Sequence, residues 1–356
     1  MSAKIVRIQH HMSFDPNNIG VANGNYFALP HVADNATLVL LPVPWDATTS
    51  YRPGAANGPQ AMLNASSQVD LFDLDNGDVW TSGIGTLPES AAIRRLSKAA
   101  RRDAEKAIAL LEKGVDESSA KVTPYLDRVN SASAALNSLI YEQTLQLLRR
   151  GKLVGLVGGD HSTPLGYIRA LGEVHESFGM LHIDAHADLR KAYEGFEFSH
   201  ASIMYNAIRQ TPSVKKLVQV GIRDLCRNEA DFAANNSVIQ QFTDYYLQEN
   251  LFNNATWASL CEEILAFLPQ KVYISFDIDG LSPAYCPNTG TPVPGGLSFH
   301  QASYLVKQLV KHGKTIVGFD LCEVSPGHDG SEWDAIVGAR MLYKLCGFCI
   351  CSQQRV

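Results

Sequence analysis

Gly179-Met180-Leu181-His182-Ile183-Asp184-Ala185-His186-Ala187-Asp188 is an apolar run that ends in evenly spaced acid and imidazole side chains. Residues 179–183 have the length and composition of a buried strand. In extended chain, positions i, i+2 and i+4 face one side, so Asp184, His186 and Asp188 are expected to point together. Two more apolar runs end in the same way. Residues 272–276 lead into Asp277-Ile278-Asp279, and residues 152–157 lead into Gly158-Gly159-Asp160-His161. Carboxylates and imidazoles without a thiolate form a hard oxygen and nitrogen donor set, suited to Mn²⁺ and its neighbours rather than to structural zinc. Four carboxylates aimed at one place repel one another unless cations neutralise them. Two divalent ions sharing bridging carboxylates meet that need. A lone Asp or His in such a run would read as a satisfied core residue, but burying the whole set unpaired would cost many kcal/mol.

Further along the chain, strands and helices alternate. Strands are expected at residues 36–43, 152–157, 179–183, 217–221, 272–276 and 315–321. Helical spacing marks residues 88–115, 130–150, 167–174, 228–267 and 333–345. Residues 52–59 form a turn rich in Gly, Pro and Asn. Alternation of this kind implies a mostly parallel sheet covered on both faces. Sites in such sheets form beyond the carboxyl ends of the strands, which is where the acids and imidazoles stand. Residues 1–36 read as an irregular N-terminal arm and residues 37–356 as one catalytic domain.

At 356 residues and 46% hydrophobic, the chain can bury a sizeable core. A formal charge of −6 offers no basic patch for nucleic acid or anionic membrane. No apolar run reaches about 18 residues and no leader pattern opens the chain, so a cytoplasmic protein is expected. Its seven cysteines are odd in number and irregularly spaced, as expected of reduced thiols. Cys346 and Cys349 have a redox-like spacing, but in an apolar stretch they read as buried structural thiols.

Taken together, the motifs resemble the ureohydrolases, the family of arginase and agmatinase. The resemblance rests on Gly158-Gly159-Asp160-His161-Ser162, on Asp184-Ala185-His186-Ala187-Asp188-Leu189-Arg190, and on Ser275-Phe276-Asp277-Ile278-Asp279-Gly280-Leu281-Ser282-Pro283. Thr289-Gly290-Thr291-Pro292-Val293-Pro294-Gly295-Gly296-Leu297 adds to it. It extends from Leu41-Pro42-Val43-Pro44-Trp45-Asp46 to Cys322-Glu323-Val324-Ser325-Pro326, or about residues 38–350. It implies a three-layer α/β/α fold of the arginase/deacetylase type and two divalent ions, Mn²⁺ by default with Ni²⁺ as the option. His161 and Asp188 would hold one ion and His186 and Asp279 the other, with Asp184 and Asp277 bridging. Such ions lower the pKa of bound water, and a poor electrophile such as guanidinium requires a strong nucleophile. Asp188 would also pass a proton to the leaving amine. His200 would shuttle protons or touch substrate, with a pKa near about 6.5. Glu323 would hold the guanidinium by charge-assisted hydrogen bonds. Asp160 would orient ligands, and His182 is read as structural. A homotrimer or homohexamer is implied as well.

The resemblance is closer to agmatinase than to arginase. Agmatine, cleaved to putrescine and urea, is the expected substrate, because Glu194 and Glu197 in the loop after Asp188 would tolerate an amine better than a carboxylate. The alternative is guanidine, an alkylated guanidine or a biguanide. It is suggested by the Gly330–Ala335 segment, by the long region 88–135, and by Trp333 or the N-terminal arm as candidates to shorten the pocket. A one-metal zinc deacetylase and a non-catalytic subunit are the rivals from other classes. Retention of all six ligand positions argues against both.

Overall fold

Leu38 and Leu40 enter one core and Val39 and Leu41 another. That alternation on a single strand reflects a sheet buried on both faces. The computed structural model describes residues 14–327 and 329–353. Its strands are β1 (Leu38–Pro42), β2 (Ile84–Thr86), β3 (Leu153–Val157), β4 (Phe178–Ile183), β5 (Val214–Val220), β6 (Ile239–Phe242), β7 (Lys271–Asp277) and β8 (Thr315–Cys322). They form one eight-stranded sheet in the order β2-β1-β3-β8-β7-β4-β5-β6. Every strand pairing in it is parallel. The helices are α1 (Gly58–Ser66), α2 (Ala91–Leu111), α3 (Thr123–Arg149), α4 (Leu165–Val174), α5 (Ile203–Gln210), α6 (Arg227–Ala234), α7 (Asp244–Phe252), α8 (Trp257–Ala266), α9 (Phe299–Lys311) and α10 (Trp333–Gln353). Residues of α8, α9 and α10 fill the core on one face, and residues of α2 to α5 fill the other. This is the three-layer α/β/α architecture that the resemblance implies.

Several expectations need correction. Residues 228–267 are not one helical region; they divide into α6, β6, α7 and α8. β6 is short and lies at the sheet edge, and Gln240 and Gln241 dilute its apolar pattern. The three-residue β2 at the opposite edge escapes the period-2 test for the same reason. α1 begins inside the Gly/Pro-rich turn, with Pro59 in its first turn, where a missing N–H costs nothing. α9 has a capping box between Ser298 and Gln301.

α10 is long and apolar enough to span a membrane by length and composition, but most of it is buried in the protein. It contributes Cys346 and Cys349 to the core, both as buried thiols. Within residues 14–36, residues 26–29 are buried against the body. Tyr26 Oη donates to the Pro59 carbonyl at 2.8 Å, and the rings of Phe27 and Tyr343 are 4.8 Å apart. Residues 1–13 of the proposed arm lie outside the described residues. The far ends of α2 and α3 form a small core of their own around Phe196, with Ala104, Ile108, Leu126 and Val129.

Candidate metal centre and substrate cleft

β3, β8, β7 and β4 are consecutive neighbours in the sheet. Their carboxyl ends therefore deliver His161, Glu323, Asp277 with Asp279, and Asp184 to one crevice. The turn after β3 runs hard against the backbone of Trp45. A Cβ at Gly159 would lie 1.9 Å from the Trp45 carbonyl oxygen, so only glycine fits there.

The six sequence-predicted ligands converge. His161 Nδ1 is 3.0 Å from Asp184 Oδ2, 3.2 Å from Asp277 Oδ2 and 3.3 Å from Asp188 Oδ2. His186 Nδ1 is 3.1 Å from Asp279 Oδ2 and 3.5 Å from Asp184 Oδ1. Asp184 thus serves two imidazole-headed groups, with one oxygen in each. The alternation expected for residues 184–188 is not how they meet. β4 ends at Ile183, and Asp188 has the left-handed backbone φ of 54°. The loop, rather than a continued strand, turns its carboxylate inward.

The donor set fits a pair of divalent cations. Among the described residues, none of these four carboxylates pairs with lysine or arginine. Burial, then the charges of Asp279 and Asp184, pushes Asp277 well above the usual carboxylate range. Burial and Asp184 push Asp188 up to about 6. Burial opposes a charge on His161, yet Asp184, Asp188, Asp277 and Asp320 push its pKa well above the usual histidine value. His186 behaves in the same way, with Asp279 and Asp184 as its partners. Asp184 goes the other way: burial opposes its charge, yet His182, His161 and His186 hold it well below the usual carboxylate range. The raised members hold their protons as groups short of positive charge do.

Glu323 is 7% exposed and also left-handed, with φ of 63°. Its Oε1 accepts the His161 backbone N–H at 2.9 Å. Burial and then Asp160 push its pKa well up. Asp160 is itself raised to about 7, chiefly by burial, despite the hydrogen bonds it accepts from Ser162. His200 opens a short 3-10 turn, with its N–H on Thr48 Oγ1 at 3.3 Å and its ring edge-on to Tyr193. Burial, then His186 and His161, lowers its pKa to about 3. That lies below the expected value near 6.5, chiefly because the ring is buried.

A cleft of about 170 Å³ opens over His186 and Asp188, walled by Arg190, Tyr193, His200, Asp224 and Glu229. Glu194 and Glu197, expected to face substrate, are not among its walls. The chain turns tightly between Tyr193 and Phe196, with positive φ at Glu194 and Gly195. That turn sends Phe196 into the α2–α3 core and leaves Glu197 exposed. Trp333, proposed to shorten the pocket, instead donates its indole N–H to Ala284 O at 2.9 Å and is not a wall residue. Besides Asp188, three charged residues given no role in the sequence reading stand in the walls. Glu229 accepts the N–H groups of Leu189 and Cys226, Arg190 lies 3.6 Å from it and over the Tyr193 ring, and Asp224 has no ion-pair partner among the described residues.

Other residues missed in the sequence brace the ligands. His161 Nε2 is 2.9 Å from Ser275 Oγ and 3.6 Å from Asp320 Oδ1, and Asp320 takes the Tyr273 hydroxyl at 2.6 Å. An acid inside the apolar run of β8 was the available signal for Asp320. His182, read as structural, is 2.7 Å from Asp184 Oδ2.

The Arginase family model matches residues 36–347. The chain is 33% identical to an N(1)-aminopropylagmatine ureohydrolase of Thermus thermophilus, over 88% of this chain and 90% of that protein. It is 31% identical to a guanidinopropionase of Pseudomonas aeruginosa, over 90% and 89% of the two chains. Proclavaminate amidino hydrolase from Streptomyces clavuligerus has the same fold, with a TM-score of 0.72 at 23% identity, over 94% of this chain and 99% of that one. With its motifs, its sheet and its cluster of acids and imidazoles in place, the chain belongs to the arginase family of ureohydrolases.

Proposed function

We propose that this protein is a binuclear metal-dependent hydrolase that cleaves a C–N bond of a small guanidino compound, releasing urea and an amine. The observation that carries the reading is Asp184, whose two carboxylate oxygens belong to two separate groups of ligands. His161 and Asp188 would hold one ion and His186 and Asp279 the other, with Asp184 and Asp277 available to both. Mn²⁺ is the default and Ni²⁺ the option. Two such ions, when bound, make water acidic enough to attack a guanidinium carbon at neutral pH. The chain's own side chains do the rest. Glu323 holds the guanidinium, Asp188 takes and returns the proton, and His200 hydrogen-bonds at the cleft wall.

Agmatine is the first substrate proposed. Asp224 gives the cleft an acid for a distant ammonium, and a relative of this chain carries N(1)-aminopropylagmatine in its name. The small cleft and the guanidinium of Arg190 on its wall favour a second reading, a substrate with little or no tail, such as guanidine or an alkylated guanidine. Metal analysis of the purified protein should find two ions per chain. Steady-state kcat/KM for arginine, agmatine, guanidinobutyrate, guanidine and dimethylguanidine, each with Mn²⁺ and Ni²⁺, separates the substrates. Urea should appear only with metal present. Acetate released from an acetylated amine would point to a deacetylase, and a preference for arginine would overturn the substrate reading.

A further inference from the structure

Three side chains on three neighbouring strands form a directed chain of hydrogen bonds that ends on Asp184. His182 of β4 stands beside Gln219 of β5, and Gln219 beside Gln241 of β6. Gln241 Nε2 donates to Gln219 Oε1 at 2.8 Å. Gln219 Nε2 lies 2.7 Å from the Ala187 carbonyl and 2.9 Å from His182 Nδ1. The amide fits only one way round, because its oxygen placed against the Ala187 carbonyl would bring two acceptors together. A ring nitrogen that accepts at Nδ1 carries its proton on Nε2. His182 Nε2 is 2.7 Å from Asp184 Oδ2.

We propose that the Gln241–Gln219–His182 chain makes His182 a positioning residue, which fixes the Asp184 carboxylate for two ions. This rests on the binuclear reading above. Both Asp184 oxygens are already held from the protein side: His182 Nε2–H lies on Oδ2, with the prospective metal ligand His161 Nδ1 also 3.0 Å from that oxygen, and the His186 backbone N–H lies on Oδ1 at 2.6 Å. Each oxygen keeps lone-pair capacity for one ion, and the carboxylate cannot rotate without losing a donor. With the other tautomer, the bare Nε2 would face Oδ2 and push the carboxylate out of place. No exposed surface is left on His182, Gln219 or Asp184, so water has no access to replace a lost donor. The chain thus ties the sheet edge at β6 to the carboxylate shared by both ion sites. A merely space-filling His182 would need neither the directed amide nor the single tautomer.

The test uses full-length protein labelled with ¹⁵N-histidine and titrated with Mn²⁺. Metal-free wild type should show His182 as the Nε2–H tautomer. His182→Leu should weaken Mn²⁺ binding roughly 10- to 100-fold. His182→Gln, which returns an amide N–H close to the Nε2 position, should recover most of that affinity. Gln219→Leu should weaken binding less and give a mixture of tautomers at His182. An Nδ1–H tautomer in wild type overturns the inference, as does a folded His182→Leu protein with the wild-type dissociation constant. Should His182→Leu fail to fold, wild-type affinity and a single tautomer in Gln219→Leu would overturn it. Wild type that takes up no divalent ion while keeping the Nε2–H tautomer overturns the proposed function instead.

Discussion

Glu323 stands in a left-handed backbone conformation with a buried carboxylate that no lysine or arginine neutralises among the described residues. A cationic guanidinium would supply the missing charge. Glu323→Gln keeps the shape and an acceptor for the His161 N–H but removes the charge. A hydrogen bond to a charged group contributes about 1.5–3 kcal/mol, so kcat/KM should fall roughly 10- to 100-fold. Metal content should not change. Steady-state kinetics with metal analysis on the same preparation checks both, and unaltered kcat/KM would remove Glu323 from substrate binding. At this scale the sequence was most readable where physics forbids coincidence: acids and imidazoles at the ends of apolar runs had to meet a cation. Ser275, Gln219 and His182 were harder. Their roles depend on which strands lie side by side, and that register is written across distant parts of the chain.

The α2–α3 hairpin accounts for the long region 88–135. Its tip encloses Phe196, while Asn130 donates to Gly195 O at 3.0 Å and accepts from Glu197 N at 2.9 Å. The hairpin therefore holds the loop that ends in His200. Phe196→Ala should cost about 3–5 kcal/mol of stability, the range for deleting a buried aromatic ring. It should lower kcat/KM in the still-folded protein, with metal content unchanged. Denaturant unfolding and kinetics below the transition would show this, and a variant that loses stability but keeps full activity would separate the hairpin from the cleft. Both long helices were legible from their apolar periodicity. Their purpose was not, because it lies in the contact with a loop more than sixty residues away.

For the whole molecule, the concentration of charge at one end of the sheet sets the pH response. Asp160 and Asp188 are raised to about 7 and about 6, and Asp277 and Glu323 are raised well up. A raised acid holds its proton more tightly folded than unfolded. Its contribution to stability is present at low pH and lost as pH rises through the folded value. His161 and His186, also raised, lose theirs at higher pH in the same direction. His200, lowered to about 3, acts oppositely between that value and about 6.5, and His31 and His175, lowered by burial, act with it against the larger set of raised groups. Chelated protein should therefore melt at a lower temperature as pH rises from about 5 to about 8. Saturating Mn²⁺ should flatten or reverse the trend. Thermal scans across that range, with and without metal, decide it, and a chelated protein that gains stability with pH would contradict the charge assignment. The parallel sheet and the location of the site beyond its strands were legible from alternation. The strand order was not, since β7 and β8 insert between β3 and β4 and only long-range packing dictates that.

Asp188 and Glu323, two of the left-handed residues, also have an evolutionary side. Glycine or asparagine would adopt those backbone angles with less strain, and either would relieve the repulsion among buried acids. Drift under selection for folding alone would therefore erode positions 188 and 323 early. A descendant of this chain that had abandoned its chemistry should betray the loss at those two places, while its apolar strands still read as they do here.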